Sequence, residues 1–185
     1  IPLMWDLIIK SIYFVLPAYL ANMAPVICDK LKLFRFLARP IDGGRKLGSQ
    51  PIFGSSKTWR GLFSGALFGL ITTSFQAYLY NYDFFKDISL IDYPSNFIAF
   101  GLLSGLGAMV GDLIKSFFKR RLNKKSGSSW PVFDQLDFVL GFLLFTYYFS
   151  APAVPIILTI LLLTLILHPL TNLVSYALGF KKVWW

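Results

Sequence analysis

The chain has 185 residues, 56% of them hydrophobic and only 15% charged, whereas a soluble domain is typically about half apolar and about a quarter charged. At a mean hydropathy of +0.61, the apolar excess is more than a water-excluded core of this size can hold, which excludes an ordinary soluble globule and points to an integral membrane protein. Its 18 Lys and Arg outnumber nine acids, all Asp, for a net charge of +9; cytoplasmic loops facing anionic lipid produce such a balance, and nucleic acid is not an expected partner.

A membrane-spanning helix needs about 20 mostly apolar residues, and five segments qualify. The first, near 6–28, contains Pro17 and Pro25, which read as kinks. It lacks a basic n-region and an A-x-A site, so it reads as a span rather than a cleavable leader. Cys28, the single cysteine, excludes an internal disulfide and a cysteine-based metal cluster. A first cytoplasmic loop, about 28–58, follows; eight cations lie between Lys30 and Arg60. The second span, near 59–82, carries Gly61, Gly65 and Gly69, and the third, near 97–118, carries Gly101, Gly105, Gly107 and Gly111. Such spacing lets backbones approach closely, so these two helices should sit tightly together and join the basic loops that flank them. Between them, residues 83–96 hold one cation, Lys86, against Asp83, Asp87 and Asp92.

Beyond the third span, Lys115, Lys119, Arg120, Arg121, Lys124 and Lys125 crowd a second cytoplasmic loop, about 119–132. The fourth span, near 133–150, is short, and residues 150–155 turn tightly into the fifth, near 153–178. There His168, before Pro169, reads as a packed polar residue. Lys181 and Lys182 beside Trp184 and Trp185 form an interfacial anchor pattern. Counting cations places the N-terminus outside and the first loop, third loop and C-terminus inside. The expected architecture is all-α: one polytopic domain over 1–185 with five transmembrane helices and a functional face at the cytoplasmic side of the cell membrane.

Three carboxylates stand out. Asp112 lies inside an apolar helix, where an ionisable residue is costly and marks function by default. Lys115, Ser116 and Lys119 follow at i+3, i+4 and i+7 and share its face. An Asp112–Lys115 or Asp112–Lys119 ion pair that only fixes packing is the structural alternative. Asp134 and Asp137 open the fourth helix, again on one face. Helix capping explains one acid there, but not both together with Asp112. Oxygen donors of this kind suit Mg²⁺, which takes one or two carboxylates plus phosphates and water; no His/Cys set for zinc is present. Gly54-Ser55-Ser56-Lys57-Thr58 is a small polar loop opening the second helix, whose N–H groups and helix end are candidates to hold phosphate. It is not a Walker A motif, since the first glycine is missing.

With these residues in view, the chain resembles the CDP-diglyceride synthase superfamily of membrane cytidylyltransferases. The G-D-L-x-x-S-x-x-K-R run reads here Gly111-Asp112 through Ser116, Lys119 and Arg120, and the D-x-x-D that follows is Asp134 and Asp137. Bacterial members carry P-G-H-G-G before the first of these acids and Arg after it; this chain has Ser128-Ser129-Trp130-Pro131-Val132-Phe133 and Gln135. The segment Ile52-Phe53-Gly54-Ser55-Ser56-Lys57-Thr58-Trp59-Arg60-Gly61 is similar to the I-F-G-x-x-K-T-W-R-G form of the compact, five-helix archaeal branch, the CDP-archaeol synthases.

That resemblance implies an enzyme of phospholipid biosynthesis. It would join CTP to an isoprenoid glycerol ether lipid phosphate, 2,3-bis-O-geranylgeranyl-sn-glycerol 1-phosphate, and release pyrophosphate. Mg²⁺ is the expected cofactor, bound by Asp112, Asp134 and Asp137, with Lys119 completing the catalytic set. Lys57, Arg60, Lys119 and Arg120 should hold phosphates, with Ser55, Ser56, Thr58 and Ser116 secondary. The lipid tails should lie between helices, with Phe117, Phe118 and Phe138 as candidate lining, although most such aromatics simply face lipid. A CDP-diacylglycerol synthase acting on phosphatidic acid and a non-enzymatic membrane transporter remain the alternatives. Asp42-Gly43-Gly44-Arg45 matches part of the D-G-x-x-A-R motif of CDP-alcohol phosphotransferases, but the later G-x-x-x-D-x-x-x-D portion is absent at the required spacing, which rejects that reading.

Overall fold

In the computed structural model, which describes residues 2–124, 128–180 and 183, the chain is built almost entirely of helices. Lys125, Lys181, Lys182, Trp184 and Trp185, singled out above, lie outside the described residues. In chain order the helices are α1 (Pro2–Lys30), α2 (Trp59–Leu79), α3 (Asp83–Asp87), α4 (Tyr93–Arg121), α5 (Phe133–Thr146) and α6 (Val154–Ala177). Four of these, α1, α2, α4 and α6, are long and apolar enough to cross a bilayer.

The fourth expected span differs. Helix α5 has 14 residues, about 21 Å at 1.5 Å per residue, against a hydrocarbon core of about 30 Å. It loosens after Thr146 into a turn, where Phe149 and Ser150 donate to the Thr146 carbonyl at 3.0 and 3.4 Å, ahead of the Pro152 and Pro155 connection. Besides a 3-10 turn at Arg35–Leu37, two small elements have no counterpart in the hydropathy pattern. One is α3, a single turn after α2. The other is an antiparallel hairpin of β1 (Lys46–Leu47) and β2 (Gln50–Pro51), with Lys46 opposite Pro51 and Leu47 opposite Gln50.

Small residues decide how the long helices meet. A Cβ on Gly69 would run into the backbone of Gly101 and Gly105, and one on Gly105 into that of Gly65 and Ala66. The order of these contacts makes α2 and α4 antiparallel. The glycines of α4 serve two neighbours, however. Gly107 and Gly111 turn to α5, where Gly107 meets Gly141, and a Cβ on Gly111 would strike the carbonyl oxygen of Asp137. In lipid there is no hydrophobic drive between helices, so close van der Waals contact of this kind holds them. Between α1, α4 and α5 the space is filled by aromatic rings: Phe14 lies 5.6 Å from Phe100 and 5.2 Å from Phe142. Deeper along the bundle, Gln76 Nε2 donates to the Tyr13 carbonyl at 2.6 Å and ties α2 to α1.

The glycine contacts bring one end of each helix together: the C-terminal ends of α1, α4 and α6 and the N-terminal ends of α2 and α5. At that end α1 and α6 are joined by Lys30 Nζ, which donates to the Gly179 carbonyl at 2.5 Å and lies 4.7 Å from the Phe180 ring centre.

Overpacking a tight contact costs about 1–3 kcal/mol. Gly111→Ala should lower thermal stability in detergent by that amount. Gly61→Ala should be nearly neutral, because its added methyl would find its nearest neighbours at an ordinary 3.6 Å. Equal effects at both positions would contradict a tight α4–α5 contact.

Candidate active site

A cavity of about 1260 Å³ opens at the shared end of the bundle. Its lining includes all eleven residues that the motifs single out: Ser55, Ser56, Lys57, Thr58, Arg60, Asp112, Ser116, Lys119, Arg120, Asp134 and Asp137. They come from the loop before α2 and the facing ends of α2, α4 and α5. The reach is possible because the α4–α5 contact at Gly111 sets Asp137 beside Asp112, and the α2–α4 contact carries the Lys57 loop over the same point.

At the base of the cavity, carboxylates and ammonium groups alternate. Lys57 Nζ donates to Asp112 Oδ2 at 2.5 Å. Lys119 Nζ lies 3.0 and 3.2 Å from the two Asp134 oxygens and donates to the Ser128 carbonyl at 2.5 Å. Lys115 sits between the acids, its Nζ 3.0 Å from Asp112 Oδ1, 3.0 Å from Asp134 Oδ1 and 2.6 Å from Asp137 Oδ2. The Asp112–Lys115 ion pair foreseen as a packing device is therefore real, but it is part of a larger cluster; Lys119 pairs with Asp134 and not with Asp112. Charges at this depth persist only when paired, since each loses its hydration.

The three aspartates converge, but around an ammonium. Among the described residues no three His, Cys or acidic side chains stand at metal-holding spacing, and the 2.6–3.0 Å separations about Lys115 Nζ exceed the roughly 2.0–2.1 Å of Mg²⁺–oxygen bonds. The chemistry of the donors does fit that ion: oxygen only and three carboxylates. Asp137 Oδ2 is buried, with Lys115 Nζ 2.6 Å away.

Several expectations change. The backbone of residues 53–61 is partly engaged within the protein. The N–H groups of Phe53 and Gly54 go to Asp42, Lys57 N–H to the Gly54 carbonyl, Trp59 N–H to the Arg39 carbonyl, and Gly61 N–H to the Thr58 hydroxyl that caps α2. Fewer N–H groups of this loop are therefore left to meet a phosphate. Arg60 forms an ion pair with Asp29 of α1. Arg121 turns away from the cavity, donating to the Pro51 and Gln50 carbonyls at 2.6 and 3.3 Å and lying over the Phe117 ring. Lys124 lies over the Trp130 ring instead. Phe138 is not a lipid-facing aromatic: it is fully buried between the rings of Tyr19 and His168, whereas Phe118 is exposed. His168 is packed as expected, and it also lines the cavity with Asn172. Asp134 has a local duty as well, accepting the Trp130 N–H at 2.6 Å. The turn before α5 passes through Val132 at φ 68°, a conformation that β-branched residues rarely adopt.

Asp42 was read only as part of a failed motif, yet it organises the loop. Its Oδ2 accepts from Phe53 N–H at 3.0 Å and Gly54 N–H at 3.1 Å, and its Oδ1 from Gly44 N–H at 2.9 Å. Gly43, Gly44 and Gly54 have φ of 58°, 78° and 102°, angles that glycine adopts without strain. The D-G-G spacing was the available signal, an aspartate folding back on its own turn.

The family model described as CarS-like, CDP-archaeol synthase, matches residues 4–185. A CDP-archaeol synthase of Methanococcus aeolicus is 36% identical over 97% of each chain. Another, from Methanocaldococcus jannaschii, is 33% identical, covering 98% of this chain and 99% of its own. A solved structure described as an intramembrane enzyme for archaeal membrane lipid biosynthesis superposes with a TM-score of 0.72 at 28% identity, over 88% of this chain and 92% of that one.

Burial raises the Asp42 carboxyl pKa, but the three backbone donors outweigh it and hold the value below the ordinary range. A carboxyl lowered in the folded state contributes stability at neutral pH that is lost as pH falls through the lowered value. Asp42→Asn should therefore cost about 1–2 kcal/mol at pH 7, measured by thermal unfolding, and the gap to wild type should narrow in acid. A gap independent of pH would contradict this account.

Proposed function

The chain belongs to the CDP-archaeol synthase family, and from that premise we propose that it joins CTP to 2,3-bis-O-geranylgeranyl-sn-glycerol 1-phosphate. The products are the unsaturated CDP-archaeol and pyrophosphate. The observation that carries the assignment to this cavity is the meeting of Asp112 from α4 with Asp134 and Asp137 from α5, under Lys57 from the loop before α2. A transporter needs polar groups along its length, whereas this ionic cluster belongs to one end of the bundle.

In the proposed reaction a phosphate oxygen of the lipid attacks the α-phosphorus of CTP, and the bond to the leaving pyrophosphate breaks. A phosphomonoester already carries about −1.5 to −2 charges near neutral pH, so no general base is needed. The obstacle is repulsion between two polyanions. Asp112, Asp134 and Asp137 would hold Mg²⁺, which when bound supplies neutralising charge to the phosphates. Lys57, Lys119 and Arg120 would take the remaining phosphate oxygens. Arg60, held by Asp29, would do so from the rim, with Ser55, Ser56, Thr58 and Ser116 as hydroxyl donors. The apolar lining from α1 and α6, Pro25, Val26 and Pro169, suits the first carbons of the isoprenoid tails.

We further propose that α5 completes a fifth span despite its length, helped by the segment around Trp130 to Val132. The N-terminus is then outside and the cavity opens at the cytoplasmic face. Up-and-down packing of α2, α4 and α5 supports that topology, as do the cations concentrated before α2 and after α4.

Asp134→Asn should lower CTP-dependent pyrophosphate release at least about a hundredfold while the protein stays folded. EDTA should stop the wild-type reaction, and Mg²⁺ should restore it. Near-normal turnover in folded Asp134→Asn would remove the metal-holding role. Faster turnover with phosphatidic acid than with the isoprenoid ether phosphate would overturn the substrate assignment.

A further inference from the structure

Resting on the metal-holding role just given to the aspartates, we propose that Lys115 is the resident counter-ion of that site. In the substrate-free enzyme its ammonium occupies the place a divalent cation takes, and it leaves by exchange when nucleotide arrives. One oxygen from each carboxylate points to the same spot: Asp112 Oδ1 at 3.0 Å, Asp134 Oδ1 at 3.0 Å and Asp137 Oδ2 at 2.6 Å from Lys115 Nζ. Among the described residues no other cation bridges them; Lys57 reaches Asp112 alone and Lys119 reaches Asp134 alone. The Asp137 side chain is only 5% exposed and that of Lys115 13%, so neither acid nor base has water as a ready substitute. Asp137 Oδ2 is buried and has the Lys115 ammonium beside it.

The remaining oxygens are already engaged. Asp112 Oδ2 takes Lys57, Asp134 Oδ2 takes the Trp130 N–H, and Asp137 Oδ1 takes the Phe138 N–H. The three oxygens that face Lys115 are the ones directed at a shared point, and of these only Asp134 Oδ1 has a second partner, Lys119 at 3.0 Å. They stand apart at ammonium distances, and contraction to the shorter bonds of Mg²⁺ leaves no room for Nζ among them. The lysine stem is flexible and its charge compact, so the ammonium can swing without moving α4.

Charge balance couples the exchange to nucleotide. Asp112, Asp134 and Asp137 are matched by Lys57, Lys115 and Lys119. A divalent ion entering alone leaves the released ammonium with no anion, whereas a triphosphate entering with it gives Lys115 a new partner. Metal by itself should therefore bind weakly.

The test is Mn²⁺ binding, followed by electron paramagnetic resonance, to the full chain in detergent without nucleotide. Lys115→Met should tighten it about tenfold, the worth of one nearby like charge within the usual range of such interactions. Lys115→Arg, which keeps the charge, should not. If the Met variant does not give folded protein, Lys115→Gln carries the same expectation. Binding in the folded neutral variant no tighter than in wild type overturns the exchange. Asp134→Asn separates the two readings. If it loses Mn²⁺ while the neutral Lys115 variant gains nothing, only the exchange falls; if it keeps Mn²⁺ unchanged, the aspartates are not the metal's place and both fall.

Discussion

The carbonyl oxygen of Asp137 lies where any side chain on Gly111 would have to stand. That single approach sets the distance between α4 and α5, and with it the distance between the acids they carry. One turn along α4, Asp112 and Lys115 then face Asp134 and Asp137 across a gap that side chains can close. Were the two helices separated by the width of an ordinary side chain, the carboxylates would be isolated charges beside lipid, a state several kcal/mol too costly to persist. Close packing and buried charge thus depend on one another at this end of the molecule.

The same logic explains the arrangement of the basic residues. A high count of lysines and arginines would by itself be a solvated cytoplasmic surface. Here the cations divide by task. Lys57, Lys115 and Lys119 balance the three acids. Arg121 clamps the β-hairpin to the end of α4, Arg60 joins α2 to Asp29 of α1, and Lys30 joins α1 to the end of α6. Asp42 holds the loop that delivers Lys57 by accepting from the Phe53 and Gly54 N–H groups. The cavity is consequently lined by charged side chains that are paired with one another on a braced loop. That combination suits a site that must admit two highly charged molecules and release a third.

Much of this was readable along the chain. Hydropathy located every long helix to within a few residues because twenty apolar residues in a row have few other fates. The residue types around Asp112, Asp134 and Lys57 marked the site, since carboxylates in an apolar helix need a reason to be there. What stayed hidden were relations between segments. Lys115 stood at i+3 from Asp112 and looked like half of a local ion pair; that it also touches two residues of α5 depends on the helix crossing. Phe138 was indistinguishable from its lipid-facing neighbours until α1 and α6 covered it. Asp42 belongs to a loop without periodicity, and besides nearby Gly44 its partners, Phe53 and Gly54, lie eleven and twelve residues away.

By itself, then, the amino-acid order determined the helical class, the membrane setting and the chemical kinds of group available, because these follow from local composition and spacing. The tertiary structure alone decided which glycine met which backbone, that the acids converge on an ammonium rather than stand at metal spacing, and that α5 ends after 14 residues. Those outcomes turn on contacts of a few ångströms between residues far apart in the chain, and short-range patterns carry no measure of such distances.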